Sequence, residues 1–383
     1  MAKKTTSSTV TPDTAWLARG RHLGPDPELD ARRNLIALKA AGVLDDFLEL
    51  EPEDAARSSV LHPRDAAADP GAGARRVFEA RWRVADGITV RAQLTTYAGK
   101  VRRQGQDAVT WILAAEADRR WDLDWPSPAT MFWPDSGRAE WDHDMVAGVR
   151  LGRTNHLPEG DDELRARLKE CAKDSWYIQF VVHEAMTPDG PGRQPLTGFL
   201  PPSLRHQVIE HRATPQQAQI ADFALRKERG VRMPRGGAVV LPAAEPHAAY
   251  EAEYFTLHSV FLDGSEPTEL VAKIVEFAGL PRPLAPDAEA ALLRLRRGWH
   301  LLSPDEELAH ARRMVHHYAE ALEAMTQSRD RYHEAAEALQ AALSEATDGK
   351  GLPLGSPTTP GRPDSSPLST FTKALGRFRG PGK

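Results

Sequence analysis

The sequence predicts an α+β protein, with a mixed or antiparallel sheet body and helices, followed by a helical C-terminal segment and a disordered tail. Alternating apolar and polar residues mark a β-hairpin near residue 85. Strand-like and helix-like stretches follow one another without regular βαβ alternation. An uninterrupted helical pattern, coiled-coil-like in its spacing, then runs from residue 303 to Gly349.

The hairpin is the clearest β signal. Phe78, Ala80, Trp82 and Val84 alternate with charged residues, and a second alternating run begins at Ile88. A three-residue loop with Gly87 in the left-handed conformation pairs Val84 with Ile88 and Trp82 with Val90. This register places all the apolar side chains on one face, so we predict it over a two-residue loop.

The remaining body elements follow from periodicity and from helix start and stop signals. Residues 51–75 and 117–145 are predicted to be irregular, the second with its tryptophans filling the core. The predicted helices are 26–49, 161–173, 201–229 (as one or two helices), 267–278 and 287–299. The other predicted strands are 109–115, 176–182, 238–241 and 254–262.

These elements give four regions. The predicted division is a disordered lead over 1–25, an α+β body over 26–262, a helical and coiled-coil segment over 267–346, and a disordered tether with a terminal peptide over 347–383.

Composition sets further expectations. The chain has 383 residues, 41% of them hydrophobic, which is enough for two folded units or one large one. A net charge of −5 gives no global attraction to nucleic acid or anionic membrane. The single cysteine, Cys171, excludes an intrachain disulfide. Because no secretory signal or run of about 18 apolar residues is present, we expect a cytoplasmic protein without a membrane partner.

The long helix has a strong start signal. Ser303 is a good N-cap, Pro304 suits the first helical position, and Glu306 completes a capping box. Apolar residues then recur at alternating steps of three and four, which is the spacing of a coiled coil. This apolar seam consists of Leu308, Ala311, Val315, Tyr318, Leu322, Met325, Arg329, Tyr332, Ala336, Leu339, Leu343 and Ala346.

Within the seam, Arg329 is the one charged residue, and we expect it to select register or partner. The flanking positions carry Met314, Ala319, Ala321, Ala335 and Ala342, where a simple two-stranded zipper usually has Glu and Lys. The wide apolar face indicates multi-helix or close antiparallel packing. Three partners stay open: preceding helices of the same chain, a second copy, or another protein.

The last residues predict a docking peptide. Leu368, Phe371, Leu375 and Phe378 recur at helical spacing, and basic residues including Arg377 and Arg379 lie between them. A short amphipathic peptide on a flexible tether is a common form of recruitment motif. An inactive basic tail is the alternative interpretation.

Sequence motifs of catalysis are missing. The chain has no phosphate-binding loop, no G-x-G-x-x-G pattern and no G-x-S-x-G elbow. His183-Glu184 lacks the second histidine of a zinc helix, and His206 and His211 are five residues apart, so they splay on a helix. We therefore predict no metal site and no cofactor. An enzyme would have to assemble its site from scattered groups such as Asp142, His183, Glu184 and His206.

Nucleic-acid binding is an alternative function. The polar face of the hairpin carries Arg81, Arg83 and Arg91, and Lys100, Arg102 and Arg103 follow in the chain. Clustered cations can contact phosphates even in an acidic protein. The leading hypothesis is instead a non-enzymatic assembly or adaptor protein, which associates through its long helix and recruits a partner through its tail.

Overall fold

The structure is a computed structural model. It describes residues 10–22, 24, 26–51, 74–103, 106–134, 141–142, 148–184, 195–242, 249–258 and 267–348. Side chains at 98–103, 106–108, 141–142, 304 and 346–348 are not among those described. The described chain forms two compact units, Met1–Ser303 and Pro304–Lys383. The α+β class is confirmed.

The first sheet is a six-stranded antiparallel sheet in the order β2-β3-β4-β5-β1-β6. Its strands are β1 Ala15–His22, β2 Asp46–Leu50, β3 Ala74–Arg83, β4 Thr89–Arg103, β5 Gln106–Ala117 and β6 Trp141–Asp142. Strand β5 extends the strand predicted over 109–115 in both directions along the chain. The sheet's edges, β2 and β6, are short.

The predicted hairpin register is confirmed. Trp82 lies opposite Val90, and the amide of Val84 donates to the carbonyl of Ile88 at 3.0 Å. Gly87 has φ = 73°, and Asp86 also adopts a left-handed conformation with φ = 60°. Asp is one of the few non-glycine residues that tolerate this region, so the sequence of the turn suits its geometry.

The second sheet is mixed, in the order β11-β10-β8-β9-β7. Its strands are β7 Thr154–His156, β8 Ile178–His183, β9 Val208–Ala213, β10 Ala238–Val240 and β11 Thr256–Leu257. Strand β9 runs parallel to both of its neighbours, whereas β10 is antiparallel to β8 and β11. Apolar clusters cover both of its faces, so its central strands are buried.

Seven α-helices complete the described chain. They are α1 Pro27–Ala40, α2 Ala129–Phe132, α3 Asp161–Cys171, α4 Pro215–Arg229, α5 Thr268–Ala278, α6 Pro286–Arg297 and α7 Pro304–Asp348. Helix α4 begins with a capping box between Thr214 and Gln217 and ends at Gly230, which has φ = 67°. Helix α5 contacts β8 and β10, and α6 contacts β4 and β5.

Six of the eight tryptophans whose side chains are described are buried in the core, in line with the prediction. Trp82, Trp111 and Trp133 are almost fully buried, and Trp111 and Trp133 contact each other with ring centroids 5.3 Å apart. Gly20 packs directly under Trp111, because a Cβ at that position would lie 2.7 Å from the indole ring. Bulky rings therefore fit where the opposing strand has no side chain.

Three predictions near the N-terminus and at the region boundaries are wrong. Residues 15–22 form the buried strand β1 rather than part of a disordered lead. The helix predicted over 26–49 ends at Ala40, because Gly42 turns the chain with φ = 70°, and β2 follows. Helices α5 and α6 belong to the first compact unit, so the boundary lies after Ser303 and not near residue 262.

The helical prediction over 201–229 is also wrong for residues 208–213, which form β9. The charged and polar run Glu210-His211-Arg212 has the appearance of a surface segment, but all three side chains are buried. Inside the sheet they form an ion pair and hydrogen bonds with one another and with their neighbours. Predictions for 1–9, most of 51–75 and the tail after Asp348 lie outside the described residues.

His22 predicts an acid-sensitive fold. Burial lowers the pKa of His22 from 6.5 to about 4, with Asp30 opposing the shift. The unfolded chain binds a proton at His22 more tightly than the folded chain does. The free energy of unfolding therefore has its full value above about pH 6.5 and falls by up to about 3 kcal/mol as the pH drops toward 4. The check is to measure the free energy of unfolding in urea at several pH values between 6.5 and 4, for the wild type and for His22→Gln. An equal dependence on pH in the two proteins would contradict the prediction.

Candidate functional site

Helix α7 presents the apolar seam to solvent. The helical prediction is confirmed from Pro304 to Asp348, a rod of about 65 Å. Eight large seam side chains are 49–73 % exposed: Leu308, Val315, Tyr318, Leu322, Met325, Tyr332, Leu339 and Leu343. Exposed apolar residues are common singly on protein surfaces, whereas here eight of them follow one another along a single helix.

Arg329, the charged residue of the seam, forms its ion pair with a residue of the same helix. The guanidinium of Arg329 donates to the Asp330 carboxylate at 3.0 and 2.8 Å, and its side chain is 75 % exposed. Ion pairs His316–Glu320 and His333–Glu337 lie along the helix outside the a and d positions. The tail residues Leu368, Phe371, Leu375, Arg377, Phe378 and Arg379 lie outside the described part of the chain.

A second feature is a cavity of about 360 Å³ in the first compact unit, here called the Trp176 cavity. The start of β1, the loop before β8 and the connection between α5 and α6 contribute to its wall. Its aromatic residues are Trp16, Trp121 and Trp176. Its charged residues are Arg120, Arg282 and Asp13. The connection is anchored because Thr11 donates its amide to the carbonyl of Arg282 at 3.0 Å.

The indole N–H groups of this cavity differ in their bonding. Trp16 donates to the carbonyl of Ser203 at 2.9 Å, and Trp121 donates to the Ser203 hydroxyl at 2.7 Å. The buried Nε1 of Trp176 and Nη1 of Arg282 have no acceptor among the described residues. Buried donors nearly always have partners, so these two require an explanation.

Arg282 is partly removed from solvent. Burial lowers the pKa of Arg282, and the charge of Asp174 acts in the opposite direction. The Asp174 carboxylate accepts from the Trp176 amide and from the Gln179 side chain, each at 2.8 Å. An arginine keeps its proton throughout the physiological range, so Arg282 places a positive charge at the wall of the cavity.

Comparison with protein families, curated proteins and solved structures found no match. Among the described residues, no helix combines the length and apolar character needed to cross a bilayer. The His, Cys, Asp and Glu side chains of the same residues include no group of three arranged to hold a metal ion.

The fold covers part of the predicted cationic face of the hairpin and leaves another part exposed. Arg81 is 9 % exposed and lies between Asp45 and the carbonyl of Leu301. Arg91 stacks on Trp299, with the guanidinium 5.8 Å from the ring centroid, whereas Arg83 stays largely exposed beside Asp45. The side chains of Lys100, Arg102 and Arg103 are outside the described set. The nucleic-acid hypothesis stays a prediction.

A segment before α7 covers this face. Glu79 is fully buried on β3 and accepts from the amides of His300 and Leu301 at 2.8 and 2.9 Å. The Gln93 side chain also donates to the Glu79 carboxylate at 3.1 Å, and Nδ1 of the His300 ring lies 3.2 Å from it. The charged residues of the hairpin are therefore structural in part, which alternation alone did not reveal.

Of the residues suggested for an enzyme site, Asp142 ends β6, His183 ends β8 and is followed by Glu184, and His206 lies just before β9. Other ionisable groups are buried near His206 in the same sheet. Glu210 and Arg212 form a fully buried ion pair in β9, and His206 bonds Ser127 at 2.9 Å. His211 contacts Cys171 at 3.4 Å, and burial raises the pKa of that thiol to about 12, which disfavours a nucleophilic thiolate. Burial also raises the pKa of Glu210, against the effect of Arg212.

Proposed function

We propose that this protein is a non-enzymatic assembly protein that self-associates through α7, as an antiparallel pair of helices. The observation that carries the proposal is the exposed apolar seam, with eight large side chains at coiled-coil spacing on one helix. In the adaptor form of the proposal, the terminal peptide over 368–379 recruits a further protein to the assembly.

The seam offers enough apolar surface for stable association. Eight large side chains of each copy are about half to three-quarters exposed, so pairing would remove a large apolar area from water. That gain is offset in part by lost translation and rotation, about 4–15 kcal/mol, and by the ordering of interface side chains.

Residue size favours the antiparallel arrangement. An antiparallel pair centred on Gln327 sets Leu308 against Ala346, Tyr318 against Ala336, and Leu343 against Ala311 of the second copy. A large side chain then faces a small one at each of these layers, which fills space evenly. A parallel pair would set each alanine against itself and leave voids.

Charge favours the same arrangement. In a parallel pair, Arg329 faces Arg329 of the second copy, and burying like charges together is costly. In the antiparallel pair, Arg329 faces Met325 and keeps its bond to Asp330. The flanking Ala321 lies across from Ala335, so the helix backbones can approach closely.

Sedimentation equilibrium on the full chain tests association. We expect the wild type to be an oligomer and Leu322→Glu to weaken association at least 100-fold, about 3 kcal/mol, because the variant buries unpaired charges. The matched control is Gln327→Glu, which adds the same group on the opposite face of the helix and should leave association unchanged. A monomeric wild type, or equal losses in both variants, contradicts the proposal.

Orientation needs its own measurement. A spin label on Arg313→Cys should lie about 40 Å from the same label on the second copy of an antiparallel pair, whereas a parallel pair brings the labels close together. Cys171 does not interfere, because it is buried and burial raises its pKa. Arg329→Leu should tighten the assembly, since the seam then loses its charged residue.

A further inference from the structure

The Trp176 cavity has the size and chemistry of a ligand site. Its volume of about 360 Å³ lies within the range of small-molecule pockets, about 300–1,000 Å³. Such pockets combine apolar walls with a few polar groups that fix orientation. We propose that this cavity binds a small organic carboxylate with a flat apolar body, held by Arg282 and Trp176.

The polar groups select for an anion. Trp176 Nε1 and Arg282 Nη1 can only donate, and neither has an acceptor among the described residues. A carboxylate supplies two acceptor oxygens and the negative charge that balances the guanidinium. Asp174 does not fill this role, because neither Trp176 Nε1 nor Arg282 Nη1 donates a hydrogen bond to it.

The walls select for a flat apolar body. Trp16 and Trp121 direct their N–H groups to Ser203, so these groups are not available to a ligand, and the rings provide aromatic surface. Val275 of α5 adds aliphatic surface, and so do Leu280 and Leu284 of the connection between α5 and α6. Aromatic rings pack well in offset or edge-to-face contacts with such walls.

The test compares two ligands that differ in charge. Binding of 2-naphthoate and of 2-naphthamide to the full chain is measured by saturation-transfer NMR at millimolar concentration. We expect the carboxylate to bind at least 10-fold more tightly than the amide, because a charged hydrogen bond outweighs a neutral one. Absence of naphthoate binding, or equal binding of the two compounds, overturns the proposal.

Variants locate the site. Arg282→Met should weaken naphthoate binding about 10- to 100-fold, and Trp176→Phe should weaken it several-fold. Arg232→Gln removes an exposed arginine that does not line the cavity, and it should bind as the wild type does. Without ligand, Arg282→Met should melt at the same temperature as the wild type or higher, since it removes a buried unpaired donor. Undiminished binding by folded Arg282→Met overturns the assignment.

Discussion

Replacing Arg212 with methionine should lower the free energy of unfolding by about 3–5 kcal/mol, because it leaves the Glu210 carboxylate buried without its cation. Both side chains of the pair are fully buried in β9, the strand between β7 and β8. Among the described residues, Glu210 would keep the amides of Leu196 and Thr197, at 2.7 and 3.4 Å. Urea unfolding at neutral pH measures the loss.

The double variant Glu210→Gln/Arg212→Met is the matched control. It removes both charges while keeping an acceptor for the Leu196 amide, so we expect it to recover at least half of the lost stability. A single variant that loses less than about 1 kcal/mol would mean that the pair is not buried as described. A double variant no better than the single one would assign the loss to packing.

The second large effect is expected at Glu79. Glu79→Leu removes the acceptor for the amides of His300 and Leu301 and for Gln93, and each donor left buried costs about 1–3 kcal/mol. We expect a total loss of about 3 kcal/mol or more. Glu79→Gln should cost less, because its carbonyl oxygen still accepts hydrogen bonds.

Hydrogen exchange gives this prediction a local readout. In Glu79→Leu, the amides of His300 and Leu301 should exchange much faster, whereas amides of β8 and β9 should change only with global stability. A matched surface control is Glu51→Leu, since Glu51 is an exposed partner of Arg76 and should contribute little. Unchanged exchange at His300 would contradict the role of Glu79.

Local signals in the sequence predicted the elements whose stability is local. The hairpin at Ala85–Gly87 has its own turn chemistry and alternation, so its register followed from the residues alone. Helix α7 has a start signal at Ser303-Pro304 and no interior Gly or Pro, and its pattern was equally clear. Neither element needs a contact with a distant part of the chain to be recognised in the sequence.

The elements that sequence patterns missed depend on distant partners. Strand β1 was hidden because its polar residues Arg19, Arg21 and His22 resemble a solvated lead, yet β5 and β6 enclose it. Strand β9 was hidden because its charges find one another only in the folded sheet. The donors of Trp176 and Arg282 could not be identified either, since whether a donor lacks an acceptor is a property of the packed structure.

The edges of the two sheets limit how copies of this chain can meet. In the described part, β6 and β11 have two residues each and β7 has three, while β2 carries Asp46 and Glu49. Short or charged margins give an incoming strand few free amides and carbonyls to bond. Fibre growth by main-chain pairing between copies is therefore disfavoured. Contacts between molecules are expected to form through side chains instead.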